Sequence, residues 1–240
     1  MYTVLDKKMK VLFVVPSFNM GSNIGKILNS FQSQKDDSWS CIIIDDMSTD
    51  DTWKSLESIS DSRFHCIKNK EKKFALKNIV QSARLFQDRE DVIIAVVDGD
   101  DQLCNEDTVS ILLDEYKRGH DVVWTAHRWD INGMNISKEM PEKIDPYSWP
   151  WCSSHLRTFK SSLLKNIDDK NFKDTEGEWF KRGYDQALML PILKLSNSRK
   201  YVDSVCYQYN INSESMKERS WEEKDQISTI NIVRARGFLK

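Results

Sequence analysis

Three short runs in the first half of the chain are apolar at every position. They cover residues 11–15, 41–44 and 92–97. Apolar side chains at every position, rather than at alternate positions, are typical of strands that are covered on both faces. Segments with apolar residues at helical spacing lie between these runs, so helices are expected to connect the strands. The sequence therefore predicts an α/β fold with a mainly parallel sheet flanked by helices.

The second half of the chain has a less regular pattern. Residues 128–160 are rich in tryptophan, proline and small polar residues, which predicts irregular structure over the sheet edge, where binding loops tend to lie. A helix is predicted over residues 185–195, and Pro191 is expected to kink or restart it. A strand at 201–207 and a charged helix at 217–236 follow. No repeat or linker interrupts the pattern, so we expect a single domain.

Charge and cysteine content exclude some classes of protein. The chain has 35 Lys and Arg and 37 Asp and Glu residues, a net charge of −2, which argues against binding nucleic acid by overall charge alone. Its apolar runs are far shorter than the ~18 residues of a membrane-spanning helix, so no integral membrane segment is expected. The five cysteines are widely spaced and contain no CxxC pair. Reduced thiols and a cytoplasmic location are therefore expected, rather than a zinc site or disulfides.

Polar and acidic side chains follow all three apolar runs. Pro16-Ser17-Phe18-Asn19, Asp45-Asp46 and Asp98-Gly99-Asp100-Asp101 come after the first, second and third run respectively. In a parallel sheet the carboxyl ends of the strands meet at one edge, where ligands bind. The sequence therefore predicts a binding site at this edge.

The acidic segment at residues 98–101 has two interpretations. Clustered carboxylates repel one another when they are buried, and Mg²⁺ or Mn²⁺ would relieve that repulsion because both prefer oxygen ligands. Gly99 would let a ligand approach the backbone closely. The alternative is a solvated turn that caps the next helix, since Asp is common in both. Asp45 and Asp46 suit hydrogen bonds to the base or ribose of a nucleotide.

Motifs of several other enzyme classes are absent from the sequence. No GxGxxG follows the first strand, which argues against NAD or FAD, and no GxxxxGK[ST] is present, which argues against a P-loop NTPase. A GxSxG elbow is also absent, so a serine hydrolase of that type is disfavoured.

Three segments together resemble one enzyme family. Residues 14–19 (Val-Val-Pro-Ser-Phe-Asn), 43–52 (Ile-Ile-Asp-Asp-Met-Ser-Thr-Asp-Asp-Thr) and 97–101 (Val-Asp-Gly-Asp-Asp) resemble the nucleotide-sugar half of GT-A fold glycosyltransferases of the inverting family 2 type. Their order and spacing make the likeness more specific than any one motif. Residues 155–159, 184–187 and 207–210 look, more loosely, like a subset of small family 2 enzymes.

The resemblance implies one GT-A domain over residues 1–240. Residues 9–127, approximately, would form the nucleotide-sugar-binding half, and residues 128–240 the acceptor-side half with its C-terminal helix. The implied reaction is metal-dependent transfer of a sugar, with inversion, from a nucleotide-diphosphate sugar to an acceptor hydroxyl. UDP-sugars are the favoured donors. The acceptor would be a glycan or another soluble hydroxyl, with hydroxymethylated phage DNA as a further possibility.

The resemblance also implies a role for each matching residue. Side chains that follow the strands, together with others in the second half of the chain, would bind the nucleoside, the diphosphate and the sugar. The family's DxD motif would bind Mn²⁺ or Mg²⁺. A carboxylate on the predicted helix at residues 185–195 would take the proton from the acceptor hydroxyl. The donor-binding residues would be Pro16, Ser17, Asn19, Asp45, Asp46, Lys73, Lys77, Asp98, Gly99, Asp101, His155 and Arg157, the metal ligands Asp98 and Asp100, and the general base Asp185.

The chain departs from the family pattern at several positions. Met47 stands where the family usually has glycine, and lysines replace its arginine loop, so Lys73 or Lys77 would meet phosphate as point charges. The family's Glu-Asp base motif reads Tyr184-Asp185, with Glu176 and Glu178 as fallback bases. Three side-chain roles stay open. His155 is a metal or diphosphate ligand or a surface histidine; Arg157 binds phosphate or pairs with a carboxylate; Trp149 and Trp151 stack on ligand or pin the loop to the core.

Two other functions compete with glycosyl transfer. A sugar-phosphate nucleotidyltransferase also uses a parallel sheet and acidic metal ligands, but its glycine-rich, arginine-bearing first loop is missing from residues 16–25. A non-catalytic nucleotide-sugar binding module would retain Asp46 and the metal site without a working base.

Overall fold

The computed structural model describes residues 9–211 and 215–240, with side chains for 9–211 and 224–240. Strands and helices alternate through the first half, as the apolar pattern predicts. The strands are β1 (Lys10–Ser17), β2 (Trp39–Asp45), β3 (Phe64–Lys68), β4 (Val92–Val96), β5 (Gln102–Leu103), β6 (Val122–Trp129), β7 (Arg157–Lys160) and β8 (Arg199–Tyr209). The helices are α1 (Ile24–Gln32), α2 (Thr52–Glu57), α3 (Phe74–Arg84), α4 (Thr108–Lys117), α5 (Tyr184–Leu195) and α6 (Ser215–Arg236).

The strands form one sheet in the order β3-β2-β1-β4-β7-β6-β8-β5. Strands β3, β2, β1 and β4 are parallel to one another, and β6 is parallel to β8. Strand β7 is inserted between β4 and β6 and is antiparallel to both, and β5 is antiparallel to β8. The predicted α/β fold is confirmed, although neither β5 nor β7 was anticipated from the sequence.

Each central strand contributes to two hydrophobic cores. In β4, Ile94 and Val96 face the core that contains α3 and α5, whereas Ile93 and Ala95 face the core beneath α1 and α4. All residues of β4 are buried, because helices cover both faces of the sheet. This arrangement explains why the run at residues 92–97 is apolar throughout rather than alternating.

The second half follows the prediction except at β7, which lies inside the segment expected to be irregular. Residues 130–156 form turns and loops without a helix or strand, and Trp149 and Trp151 pack, partly buried, against the core, as expected if they pin the loop. Helix α5 is not restarted at Pro191; the proline lies inside a continuous helix. The cysteines are free thiols. Within the described ranges, none of the helices combines the length and apolar character that crossing a membrane requires.

Candidate active site

Strands β1, β2 and β4 bring their polar ends to one edge of the sheet. Ser17 ends β1 and pairs in register with Asp45, which ends β2. Val14 of β1 pairs with Val96 of β4, so the segment that begins at Asp98 leaves the sheet beside the end of β1. The convergence that the sequence predicts is therefore present.

Asp46 is committed to hydrogen bonds within the protein. Its carboxylate accepts from Asn69 Nδ2 at 2.7 Å, from the Lys73 N–H at 2.9 Å and from the Phe74 N–H at 2.8 Å. Because two of these donors are main-chain groups at the start of α3, Asp46 acts as a cap supplied by another strand. Burial opposes ionisation, but these hydrogen bonds outweigh it and lower the pKa of Asp46.

Asp45 differs from its neighbour because one of its oxygens has no partner. The side chain is fully buried, and Oδ1 accepts from the Ser48 N–H at 3.1 Å. The other oxygen, Oδ2, is buried without a hydrogen bond, as is the hydroxyl of Ser17 in the neighbouring strand. An unsatisfied buried polar group costs about 1–3 kcal/mol, so these two atoms are suited to receive a ligand. Of the two neighbouring carboxylates, Asp45 is the one with an oxygen that has no hydrogen bond, and the contact of Asp46 with a base stays a prediction.

The ammonium groups of the two predicted phosphate-binding lysines contact other side chains, and their role with phosphate stays a prediction. Lys73 Nζ donates to Gln81 on the flank of α3, at 3.4 Å, and Lys77 Nζ lies 3.9 Å from Glu71. Lys72, which the sequence analysis did not single out, has a buried ammonium without a hydrogen bond, over the ring of Phe18. Burial lowers its pKa, with Asp46 opposing, Arg182 adding to the shift and Asp45 opposing.

Asn19 and Gly99 have structural roles at the end of β1. Asn19 adopts a left-handed conformation (φ 54°); its N–H donates to Ser48 Oγ at 2.9 Å, and its Oδ1 accepts from the Thr49 N–H at 2.9 Å. A Cβ on Gly99 would lie 2.8 Å from the carbonyl oxygen of Pro16. Glycine is therefore required here by the close approach of β1, and the approach of a ligand to Gly99 stays a prediction.

Asp98 is held by donors from two other elements. Arg157 lies on β7 opposite Val96 and is only 2% exposed. Its Nη2 donates to both carboxylate oxygens of Asp98, at 3.1 Å each, and the hydroxyl of Tyr184 donates to Oδ1. Burial disfavours the guanidinium charge, but Asp98 and neighbouring groups raise the pKa of Arg157 above its ordinary value. In the structure Arg157 thus pairs with a carboxylate, one of its two predicted roles.

Asp101 is buried and holds β8 against the end of β4. Its Oδ2 accepts from the Tyr207 hydroxyl and its Oδ1 from the Asn210 N–H, at 2.7 Å each. Burial, Asp100 and Asp98 raise the pKa of Asp101 well above its usual value. Both carboxylate oxygens of Asp101 have partners within the protein and the side chain is only 1% exposed; the role of Asp101 in donor binding stays a prediction.

Three potential metal ligands lie together beside the Asp98–Arg157 ion pair. Asp98, Asp101 and His155 each present a ligand atom, and the three atoms lie within 4.8 Å of one another. His155 Nδ1 is buried without a hydrogen bond and lies 3.8 Å from Asp98 Oδ2. An unpartnered imidazole nitrogen beside repelling carboxylates fits a divalent cation. Asp100, the other predicted ligand, is partly exposed and outside this group; its role stays a prediction.

His155 is a buried residue rather than a surface histidine. Its ring stacks on Tyr207 and Tyr209, with ring centroids 4.6 and 5.3 Å apart, and meets His127 edge-on at 5.6 Å. Burial, reinforced by Arg157 and His127, lowers the pKa of His155 well below its usual value. The imidazole is therefore neutral at pH 7, the form that ligates metals.

Asp185 lies in the first turn of α5, next to the residue that bonds Asp98. Burial raises the pKa of its carboxyl, while Arg157 opposes the rise and Asp98 adds to it. A carboxylate with a raised pKa at this position is suited to accept a proton, because its basicity is increased. Its assignment as general base stays a prediction.

Two surface clefts lie at the opposite edge of the sheet. The first, of about 290 Å³, is lined by Asp121, Lys160 and Lys165 among others, and the second, of about 580 Å³, includes Arg84 and Asp169. Their charged groups are paired with each other or with neighbours, as in Lys160–Asp121 at 2.8 Å and Arg84–Asp169 at 2.7 Å. Buried polar atoms without a hydrogen bond also occur among the residues that line the clefts, at Gln87 Oε1 in the first and Arg84 Nε in the second.

The fold and the acidic edge of its sheet define a glycosyltransferase of the GT-A type. The chain belongs to glycosyl transferase family 2, whose family model matches residues 12–189. This membership replaces the alternatives of a nucleotidyltransferase and a non-catalytic module. No curated protein sequence matches the chain.

Solved structures of low sequence identity share the fold. TarS 1–349 from S. aureus in complex with UDP-GlcNAc has a TM-score of 0.67 and 15% identity, covering 97% of this chain and 68% of that one. The longer TarS structure has a TM-score of 0.63 and 19% identity, covering 97% and 41%. The mannosyltransferase PcManGT from Pyrobaculum calidifontis in complex with GDP-Man and Mn²⁺ has a TM-score of 0.55 and 14% identity, covering 92% and 64%.

Proposed function

We propose that this protein is a metal-dependent inverting glycosyltransferase that uses a UDP-sugar, with Asp185 as general base. The observation that carries the proposal is the placement of two sets of groups at one sheet edge. The first set is the unpartnered Ser17 hydroxyl, Asp45 Oδ2 and Lys72 ammonium. The second is the cluster of Asp98, Asp101 and His155.

The first set fits the nucleotide. Asp45 Oδ2 accepts the N–H of a base such as uracil, and Ser17 donates to or accepts from the nucleoside. Lys72 provides a positive charge next to these groups for the diphosphate. The UDP and UDP-GlcNAc complexes of structures with the same fold support uridine as the base; the GDP-Man complex keeps guanosine as the second candidate.

The second set fits a divalent cation with oxygen and imidazole ligands. Asp98 Oδ2 and His155 Nδ1 have capacity for a further partner, and Asp100 adds a carboxylate through the DxD motif. When bound, Mn²⁺ or Mg²⁺ neutralises charge on the departing diphosphate. Arg157 holds Asp98 in place through its two hydrogen bonds to the carboxylate.

Asp185 performs the proton transfer. Its carboxylate takes the proton of the acceptor hydroxyl while that oxygen attacks the anomeric carbon and the bond to the diphosphate breaks. One displacement inverts the anomeric configuration. The acceptor is a hydroxyl of a glycan or another soluble molecule; the net charge of −2 gives no support to a DNA acceptor.

Binding of nucleoside diphosphates with and without Mn²⁺ tests this proposal. We expect UDP to raise the thermal stability of the wild type only when Mn²⁺ is present, because a ligand of the native state stabilises it by mass action. Asp98→Ala and Asp100→Ala should lose this shift, and Asp88→Asn, at the opposite sheet edge, should retain it. Asp185→Asn should bind UDP–Mn²⁺ normally and lose transfer of the sugar. Transfer at the wild-type rate by Asp185→Asn would rule out its role as base.

A further inference from the structure

Tyr184 joins the base-bearing helix to the acidic end of β4. It is the first residue of α5 and directly precedes Asp185. Its hydroxyl donates to Asp98 Oδ1, and the guanidinium of Arg157 lies 5.5 Å from the centre of its ring. One side chain therefore contacts the candidate metal site while its main chain leads into the candidate base.

The start of α5 is constrained on its other side by α6. Gly183, the residue before α5, has a left-handed conformation (φ 60°), and a Cβ there would lie 2.9 Å from the carbonyl oxygen of Gln226. The first helical hydrogen bond, from the Ala187 N–H to the Gly183 carbonyl, is long at 3.5 Å, compared with about 2.9 Å for an ordinary one. The contacts with Asp98 and with α6 thus help to hold the first turn, whose first hydrogen bond is long.

Asp98 contacts both the candidate metal site and the first turn of α5, so a ligand bound at the site can affect the position of the turn through this residue. Its Oδ1 accepts from both Tyr184 and Arg157, whereas Oδ2 accepts from Arg157 and faces His155 Nδ1 at 3.8 Å. A cation bound at Oδ2 fixes the carboxylate further, and a fixed acceptor holds the Tyr184 hydroxyl in one position. A helix turn whose position depends on such a contact responds to occupancy of the site.

We propose that Tyr184 is a positioning residue that couples occupancy of the nucleotide–metal site to the placement of Asp185. The inference rests on the proposed function, since it takes Asp98 as part of the donor site and Asp185 as the base. Loss of the tyrosine hydroxyl leaves Asp98 paired with Arg157, so nucleotide binding is retained. The position of the first turn of α5 then no longer depends on whether the site is occupied.

Hydrogen exchange of the α5 amides tests the coupling with UDP and Mn²⁺ as the probe. The variant is Tyr184→Phe. The matched control is Tyr116→Phe on α4, which also removes a buried hydroxyl, one that is hydrogen-bonded to Thr158 Oγ1 at 2.8 Å. For the wild type and the control, UDP–Mn²⁺ should slow exchange at Ala187 and Leu188 at least ~5-fold, the lower end of typical coupling. Tyr184→Phe should show less than ~2-fold slowing, with its Kd for UDP within ~3-fold of wild type, as expected for lost coupling alone.

Steady-state kinetics add a second measurement. Tyr184→Phe should lower kcat about 10–100-fold with little change in the donor KM, because a misplaced base costs rate rather than donor binding. Ligand-induced protection in Tyr184→Phe equal to that of the wild type would overturn the inference, and so would an unchanged kcat. Absence of UDP binding to the wild type would instead overturn the donor site, and the inference with it.

Discussion

Asp45 and Asp46 are adjacent carboxylates for which the structure predicts opposite effects of the same substitution. In Asp46→Asn, one oxygen of a carboxylate that accepts from Asn69, Lys73 and Phe74 becomes an NH₂ group. That group then faces a main-chain N–H, so a charge-assisted hydrogen bond is lost and a buried donor is left unsatisfied. We expect the free energy of unfolding to fall by about 2–4 kcal/mol.

Asp45→Asn is the matched control. Its Oδ1 can still accept from the Ser48 N–H, and the new NH₂ group replaces an oxygen that has no partner. Stability should therefore change by no more than about 1 kcal/mol. Nucleotide affinity should fall about 10–100-fold, because a charge-assisted hydrogen bond of about 1.5–3 kcal/mol to the base is replaced by two opposed donors.

Urea denaturation at pH 7 and calorimetric titration with UDP–Mn²⁺ measure the two effects separately. Asp46→Asn should shift the denaturation midpoint and Asp45→Asn the Kd. If Asp45→Asn unfolds the protein and Asp46→Asn leaves its stability unchanged, the assignment of the two carboxylates is refuted. Equal effects of both on stability would also refute it.

Three further predictions concern the same sheet edge. Hydrogen bonds lower the pKa of Asp46 in the folded state. The stabilisation by its carboxylate is therefore present above the unfolded pKa of about 3.9 and is lost as pH falls through the pKa of the folded state. In urea titrations, the difference in the free energy of unfolding between wild type and Asp46→Asn should shrink between these two pKa values and stay constant at higher pH. Met47→Gly should raise the free energy of unfolding by about 0.5–1 kcal/mol. The left-handed conformation of Met47 (φ 66°) costs about 1–2 kcal/mol for a residue with a side chain, and the larger conformational entropy that glycine loses on folding offsets part of this gain. Met134→Gly, at an exposed site without positive φ, should not stabilise the protein. Gly99→Ala should lower the free energy of unfolding, measured with heat or urea, by about 1–3 kcal/mol because the new Cβ meets Pro16. Gly25→Ala on α1, with open space around its Cβ position, should be neutral or stabilising. Equal effects of the two substitutions would contradict the close approach of β1 to Gly99.

The main fold could be predicted from the sequence because its information is local. Runs that are apolar at every position required a sheet covered on both faces, and the helical spacing between them required connecting helices. The polar residues after the runs then had to meet at one edge. Strand β7 escaped this reasoning, because it is only four residues long and follows a long irregular region rich in proline and small polar residues. Its antiparallel insertion next to β4 is decided by packing between distant segments.

The assignment of individual side chains could not be made from the sequence. Neighbouring residues such as Asp45 and Asp46, or Lys72 and Lys73, have the same chemistry, and backbone conformations decide which one faces the ligand edge. The left-handed Met47 and Phe74 reorient the chain beside these pairs. A motif predicts which residue types approach a ligand, but a one-residue shift changes which of them has a free lone pair.

The sequence by itself thus determined the class of fold, the sheet edge where polar and acidic residues meet and the types of residue there, because these follow from hydrophobic periodicity and from strand direction. Only the tertiary structure decided which groups are partnered. Arg157 meets Asp98 across 59 residues of chain, and Tyr184 and His155 reach the same carboxylate from α5 and from the loop before β7. Such contacts depend on strand order and register, and a hydrogen bond has no signature in the sequence of either partner alone.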